Sequence, residues 1–165
     1  NRIGDARNKL VDEAVTSYRK AIELRPQDAS FYNNLGLLLV RMGQLEQGTA
    51  ELVKAAELDP ANSATYYYNL GATMINTGDS GAAIDAFHKA IAANPKHAQS
   101  HFQLGTVMAG SAQINEDGSI KPLPGTIEAF KAYLSLQPNG VNAQAAQAML
   151  ETLQGTVETT FKGNK

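Results

Sequence analysis

The chain has 165 residues, with 14 Lys and Arg against 16 Asp and Glu and a formal net charge of −2. That balance offers no strong field to gather phosphate backbones or anionic lipid, so neither nucleic acid nor a membrane surface is expected as a partner. A hydrophobic content of 43% excludes disorder, no apolar run nears the length of a membrane span, and the absence of cysteine removes disulfide and thiolate chemistry.

The chain begins at Asn1 rather than Met and shows no signal peptide. A soluble protein is expected, cytoplasmic or, where a signal segment has been removed, of the bacterial periplasm; the compartment itself is unknown. Residues 1–26 read as part of a unit: the tail of a first helix, a turn near Lys9, and a second helix from Asp12 to Leu24 with Ala14, Tyr18 and Ala21 on one face. Opening inside a unit leaves an apolar edge, and a homodimer through this N-terminal end is the corresponding expectation.

Residues 28–60 form the next unit, with Asp28 as N-cap of its first helix and Gly43 as its turn. Residues 62–95 hold the clearest unit. Tyr67, Leu70, Gly71 and Met74 share one face of a first helix, Gly78 is a left-handed stop, and Asp79 or Ser80 caps a second helix whose stripe is Ala83, Phe87 and Ala90. Residues 97–138 repeat the pattern with an insertion at 112–123, where Ile114 and Ile120 flank an Asp117-Gly118 turn and predict a small hairpin. A capping helix is expected over 141–154, apolar along Ala146, Met149, Leu150 and Leu153 and polar along Gln144, Gln147, Glu151 and Gln154. Residues 155–165 lack helical periodicity and are expected to be loose, with Phe161 free to fold back on the array.

Self-similarity ties these elements together. Pro26, Pro60, Pro95 and Pro138 stand 34, 35 and 43 residues apart, and each bars the residue before it from continuing a helix. Leu35-Gly36, Leu70-Gly71 and Leu104-Gly105 recur in the same rhythm, as do the second-helix stripes Gly48, Leu52, Ala55 and Thr126, Phe130, Tyr133. A glycine inside a helix costs about 1 kcal/mol relative to alanine, so close approach of the paired helix is expected at Gly36, Gly71 and Gly105.

With these residues the chain resembles the tetratricopeptide repeat family, whose unit is a helix-turn-helix hairpin of about 34 residues. The pattern of aromatic, Leu-Gly, turn glycine, small residue, aromatic, alanine and proline is specific as a set. It departs from the family at Lys9 and Ala112 in place of the turn glycine, at His101 in place of the first-helix aromatic, and at Gly48 and Thr126 in place of alanine. The resemblance implies an all-α fold, a right-handed superhelical α-solenoid of about three and a half units with a capping helix. It also implies that first helices line a concave groove.

On that wall the expected peptide-binding residues are Asn33, Asn34, Leu37 and Arg41, then Tyr68, Asn69 and Ile75, then Phe102 and Gln103. Asn34, Asn69 and Gln103 each precede a Leu-Gly pair. An amide donates and accepts at once, so a row of three can hold the backbone of an extended peptide whatever its sequence. Such a row resembles the asparagine ladder in the repeats of O-linked N-acetylglucosamine transferases. Arg41 as the one cation makes a poor clamp for an acidic tail, while Tyr68, Phe102, Leu37 and Ile75 are expected to receive apolar side chains.

Catalytic chemistry finds no footing. His97 and His101 stand at i and i+4, but the sequence HAQSH lacks the metalloprotease glutamate and offers no third ligand. His101 also occupies the aromatic core position of its unit. The NEDGS segment lacks the alternating carboxylates of a calcium loop, and neither a nucleophile elbow, a phosphate loop nor a dinucleotide fingerprint is present, so no cofactor is expected. Two functions remain: a peptide- or protein-binding scaffold, or a structural spacer or self-association module of a larger protein.

Overall fold

The computed structural model describes residues 2–116 and 120–162, with side chains over 9–116 and 120–155. The Asp117-Gly118 turn and the side chain of Phe161 lie outside the described residues.

Helices dominate, in the order α1 Arg2–Leu24, α2 Ala29–Arg41, α3 Leu45–Leu58, α4 Ser63–Thr77, α5 Ser80–Ala93, α6 Ala98–Gly110, α7 Thr126–Leu136 and α8 Ala143–Lys162. A short 3-10 turn at Pro60–Asn62 leads into α4. Local chemistry sets most boundaries. Asp28 accepts from Ser30 N–H at the start of α2, and Asp79 accepts from Ala82 N–H at the start of α5. The turns after α2 and α4 pass through Gly43 and Gly78 with φ of 79° and 85°, a region that favours glycine.

Successive helices pack as antiparallel hairpins, α2 on α3, α4 on α5 and α6 on α7, and each hairpin stacks on the next through α3–α4, α5–α6 and α7–α8. First helices also touch one another, α2 with α4 and α4 with α6. The result is an α-solenoid. One apolar cluster threads it from Val40 and Leu52 through Leu70, Met74, Ala83 and Phe87 to Leu104, Met108 and Ala129. A second gathers Ala98, Phe130, Tyr133, Ala146, Leu150 and Leu153 at the C-terminal end.

The glycines before these stripes are where helices meet most closely. A Cβ on Gly71 would come within 2.6 Å of the Phe87 ring and one on Gly105 within 3.0 Å of the Phe130 ring. Gly48, expected only as a departure from alanine, has its own reason, because α2 runs against it at Gly36 and Val40.

In the insertion, β1 Gln113–Ile114 pairs antiparallel with β2 Ile120–Lys121, with Ile114 opposite Ile120. Ile120 packs on the second cluster and β2 touches α8, so the hairpin is tied to the cap. Tyr133 Oη accepts from the Asn142 N–H at 3.0 Å and so caps α8 from inside.

Two expectations are corrected. The N-terminal segment does not break near Lys9; α1 is one continuous helix, because Lys9 lacks the left-handed freedom that stops α2 and α4 at glycine. The last helix does not end at 154 but continues to Lys162. Gly155 lowers helix propensity by about 1 kcal/mol without a proline to enforce a stop.

Candidate functional site

Side-by-side packing of α2, α4 and α6 turns three short sequences into one wall. At the position before each Leu-Gly pair, Asn34 is exposed and Asn69 and Gln103 are half-buried. Neither Tyr68 nor Phe102, one residue earlier, stands free. The Tyr68 ring lies 5.8 Å from that of Phe87 and 5.4 Å from the His97 imidazole. Phe102 lies 6.0 Å from Phe130 and 5.2 Å from Tyr133. Both half-buried aromatics therefore pack in part against their own chain.

Asn33 is the larger correction. It is only 8% exposed, its Nδ2 donates to Asn34 Oδ1 at 3.1 Å, and its buried Oδ1 finds no hydrogen-bond partner among the described residues. Its buried amide holds the Asn34 side chain through that bond. Leu37 is half-buried on the first apolar cluster, whereas Arg41 and Ile75 are exposed. Arg41 lies at the turn end of the wall, where Val40, Gly43, Leu45, Met74, Asn76, Thr77 and Asp79 join it around a cleft of about 520 Å³.

A second cleft, of about 710 Å³, opens at the other edge, where the loops between hairpins lie. Arg25, Gln27, Asp28, Ser30, Asp59 and Tyr66 supply its polar lining. Arg25 sits 3.3 Å from Asp28 and 4.5 Å above the Phe31 ring. Hydrogen bonds from Ser30 hold the Asp28 carboxyl below its ordinary value, and those from Asn62 and then Tyr66 do the same for Asp59. Burial first and the Asp59 carboxylate second push Tyr66 up to about 12. Sequence reasoning passed over this edge; its signal was an aspartate beside the loop proline at both Pro26-Gln27-Asp28 and Asp59-Pro60.

The two histidines have structural partners. His101 Nε2 sits 2.8 Å from the Pro95 carbonyl oxygen, as Tyr32 Oη donates to Pro26 O at 3.0 Å in the equivalent place. His97 Nδ1 lies 2.8 Å from Ser100 Oγ. Burial, then the nearby His101, lowers His97 below the ordinary imidazole value.

Comparison with known proteins places these hairpins in context. Family profiles described as TPR repeat and tetratricopeptide repeat match residues 9–43, 29–62 and 64–97. Over 146 residues the chain is 30% identical to the human protein O-mannosyl-transferase TMTC3, a match covering 88% of this chain and 15% of that protein. A crystal structure of MamA protein superimposes with a TM-score of 0.59 at 26% identity, covering 98% of this chain and 84% of that one. The first TPR of Spaghetti (RPAP3), bound to an HSP90 peptide, gives a TM-score of 0.55 at 16% identity over 80% of this chain and 97% of that one, a likeness of fold. Among the described residues no helix is long and apolar enough to cross a membrane.

Proposed function

Since the chain belongs to the tetratricopeptide repeat family, we propose that it is a non-catalytic scaffold that holds an extended peptide or protein segment along the wall formed by α2, α4 and α6. The observation that carries this reading is the equivalent placement of Asn34, Asn69 and Gln103 on three first helices that touch in sequence. Three amides at one register offer donors and acceptors to a peptide backbone, while exposed Ile75 and half-buried Leu37 give its side chains apolar footing. Arg41 adds one positive charge at the turn end. A net charge of −2 supplies no strong field to draw in nucleic acid or anionic membranes.

The test is a triple substitution, Asn34→Ala with Asn69→Ala and Gln103→Ala, in an array challenged with a display library of unstructured peptides. The wild-type chain should enrich peptides that the triple variant releases, with helicity by circular dichroism unchanged. Equal retention by both proteins would remove the amide row from the binding surface.

A further inference from the structure

In the three complete hairpins the residue before each wall amide is Asn33, Tyr68 or Phe102. Tyr68 and Phe102 fill that place with rings packed against the two apolar clusters. The α2–α3 hairpin fills it with an amide. Asn33 is 8% exposed, and its buried Oδ1 finds no hydrogen-bond partner among the described residues. A buried, unpaired carbonyl weakens a fold, and an apolar side chain of like shape removes that cost. Stability therefore gives no reason for an asparagine here.

The other end of the same amide supplies one. Asn33 Nδ2 donates to Asn34 Oδ1 at 3.1 Å, and Asn34 is the exposed first member of the amide row. An amide carries an oxygen on one side and two N–H donors on the other, and the two exchange places when the group turns about its last torsion. With its oxygen held from within the fold, the Asn34 amide is fixed against that turn. Its Nδ2 donors have no partner among the described residues. Neither Asn69 nor Gln103 has a side-chain hydrogen bond among those residues, so their amides can turn either end outward. The row thus has one member of set polarity and two that adapt. Two turns further along α2 stands exposed Arg41, a side chain that only donates, so both polar groups on this stretch of α2 call for oxygen.

Resting on the peptide-binding reading of this wall, we propose that Asn33 is a positioning residue. It holds the Asn34 amide with its N–H donors outward, and the ligand is an extended peptide that presents a main-chain carbonyl, not an N–H, at this place.

Nuclear magnetic resonance of the free protein reads the positioning directly. The Asn34 side-chain amide should be well ordered in the wild-type chain and more mobile in Asn33→Leu. That substitution removes the donor and the unpaired oxygen together and introduces a better helix former, so the melting temperature should stay level or rise. Asn33→Ala, which adds no methyl groups to the packing, should free the amide likewise. Binding is read on a peptide that the wild-type chain enriches from the display library. Asn33→Leu should weaken its capture about threefold to tenfold, the loss expected when one more side chain must be ordered on binding. Ester replacement along the peptide weakens one carbonyl and removes one N–H at a time, whereas N-methylation removes the N–H alone. One position should respond to the ester and not to the methyl group, and that response should vanish in Asn34→Ala. An Asn34 amide equally ordered in the wild type and both Asn33 variants would overturn the positioning role even where peptide capture holds. A response to N-methylation in its place would mean that Asn34 accepts, overturning the polarity. A wild-type chain that enriches no peptide would remove the reading beneath the proposal.

Discussion

Gly36 on α2 and Gly48 on α3 stand face to face: a Cβ on Gly36 would lie 2.7 Å from the Gly48 carbonyl oxygen, and one on Gly48 would lie 2.6 Å from the Gly36 carbonyl oxygen. These obstacles are backbone atoms, which no rotamer change removes. Gly36→Ala and Gly48→Ala should each destabilise the chain by about 2 kcal/mol or more. Gly105→Ala meets only ring carbons of Phe130, the nearest at 3.0 Å, and should cost less. Urea denaturation of the three variants checks this order; a costlier Gly105→Ala would contradict the backbone-contact account.

Tyr68→Ala should lower stability by about 2 kcal/mol, because its half-buried ring packs against Phe87 and His97. The same substitution at half-buried Asn69 should cost well under 1 kcal/mol. Melting curves of the two single variants separate packing from recognition. A Tyr68→Ala chain as stable as wild type would return that ring to the list of ligand anchors.

His101→Tyr should be tolerated, since a phenol at the equivalent place, Tyr32, already hydrogen-bonds the loop carbonyl of Pro26. His101→Ala removes the bond to Pro95 O and should cost about 1 kcal/mol. Denaturation midpoints decide the matter: equal losses for both variants would mean that the carbonyl contact contributes nothing.

Stability should fall at both ends of the pH range. His97 is held below 6.5 by burial and by His101, so between its folded value and 6.5 the unfolded chain binds more protons. Its contribution is complete above pH 6.5 and is lost as pH falls through that window. Tyr66, raised from 10.0 to about 12, contributes fully below pH 10 and loses that contribution as pH climbs toward 12. His97→Gln should flatten the acid limb and Tyr66→Phe the alkaline limb in denaturation series across pH; slopes unchanged by either substitution would show that other groups set them.

Much of the fold was legible because its signals are local. Pro26, Pro60 and Pro95 end helices by their own stereochemistry, Gly43 and Gly78 turn the chain by theirs, and Asp28 and Asp79 cap the helices that follow. What failed to show were properties belonging to pairs of helices. Asn33 and Asn34 are the same residue type in adjacent places, and only contact between helices decides which is buried. An aromatic offered to a ligand and one packing on its own chain look alike in sequence, so the contacts of Tyr68 with Phe87 and His97 and of Phe102 with Tyr133 could not be read from it. The continuity of α1 escaped for a related reason: Lys9 sits where the repeat has a turn, yet carries none of the chemistry that makes one.

The α6–α7 hairpin is stitched into both apolar clusters, contributing Leu104, Met108 and Ala129 to one and Ala98, Phe130 and Tyr133 to the other. Pulled from the C-terminus, α8 would peel away with only the second cluster, and the load would then meet a hairpin still anchored from its other side. The array should therefore yield in stages rather than at once, with its most irregular unit serving as the latch between them.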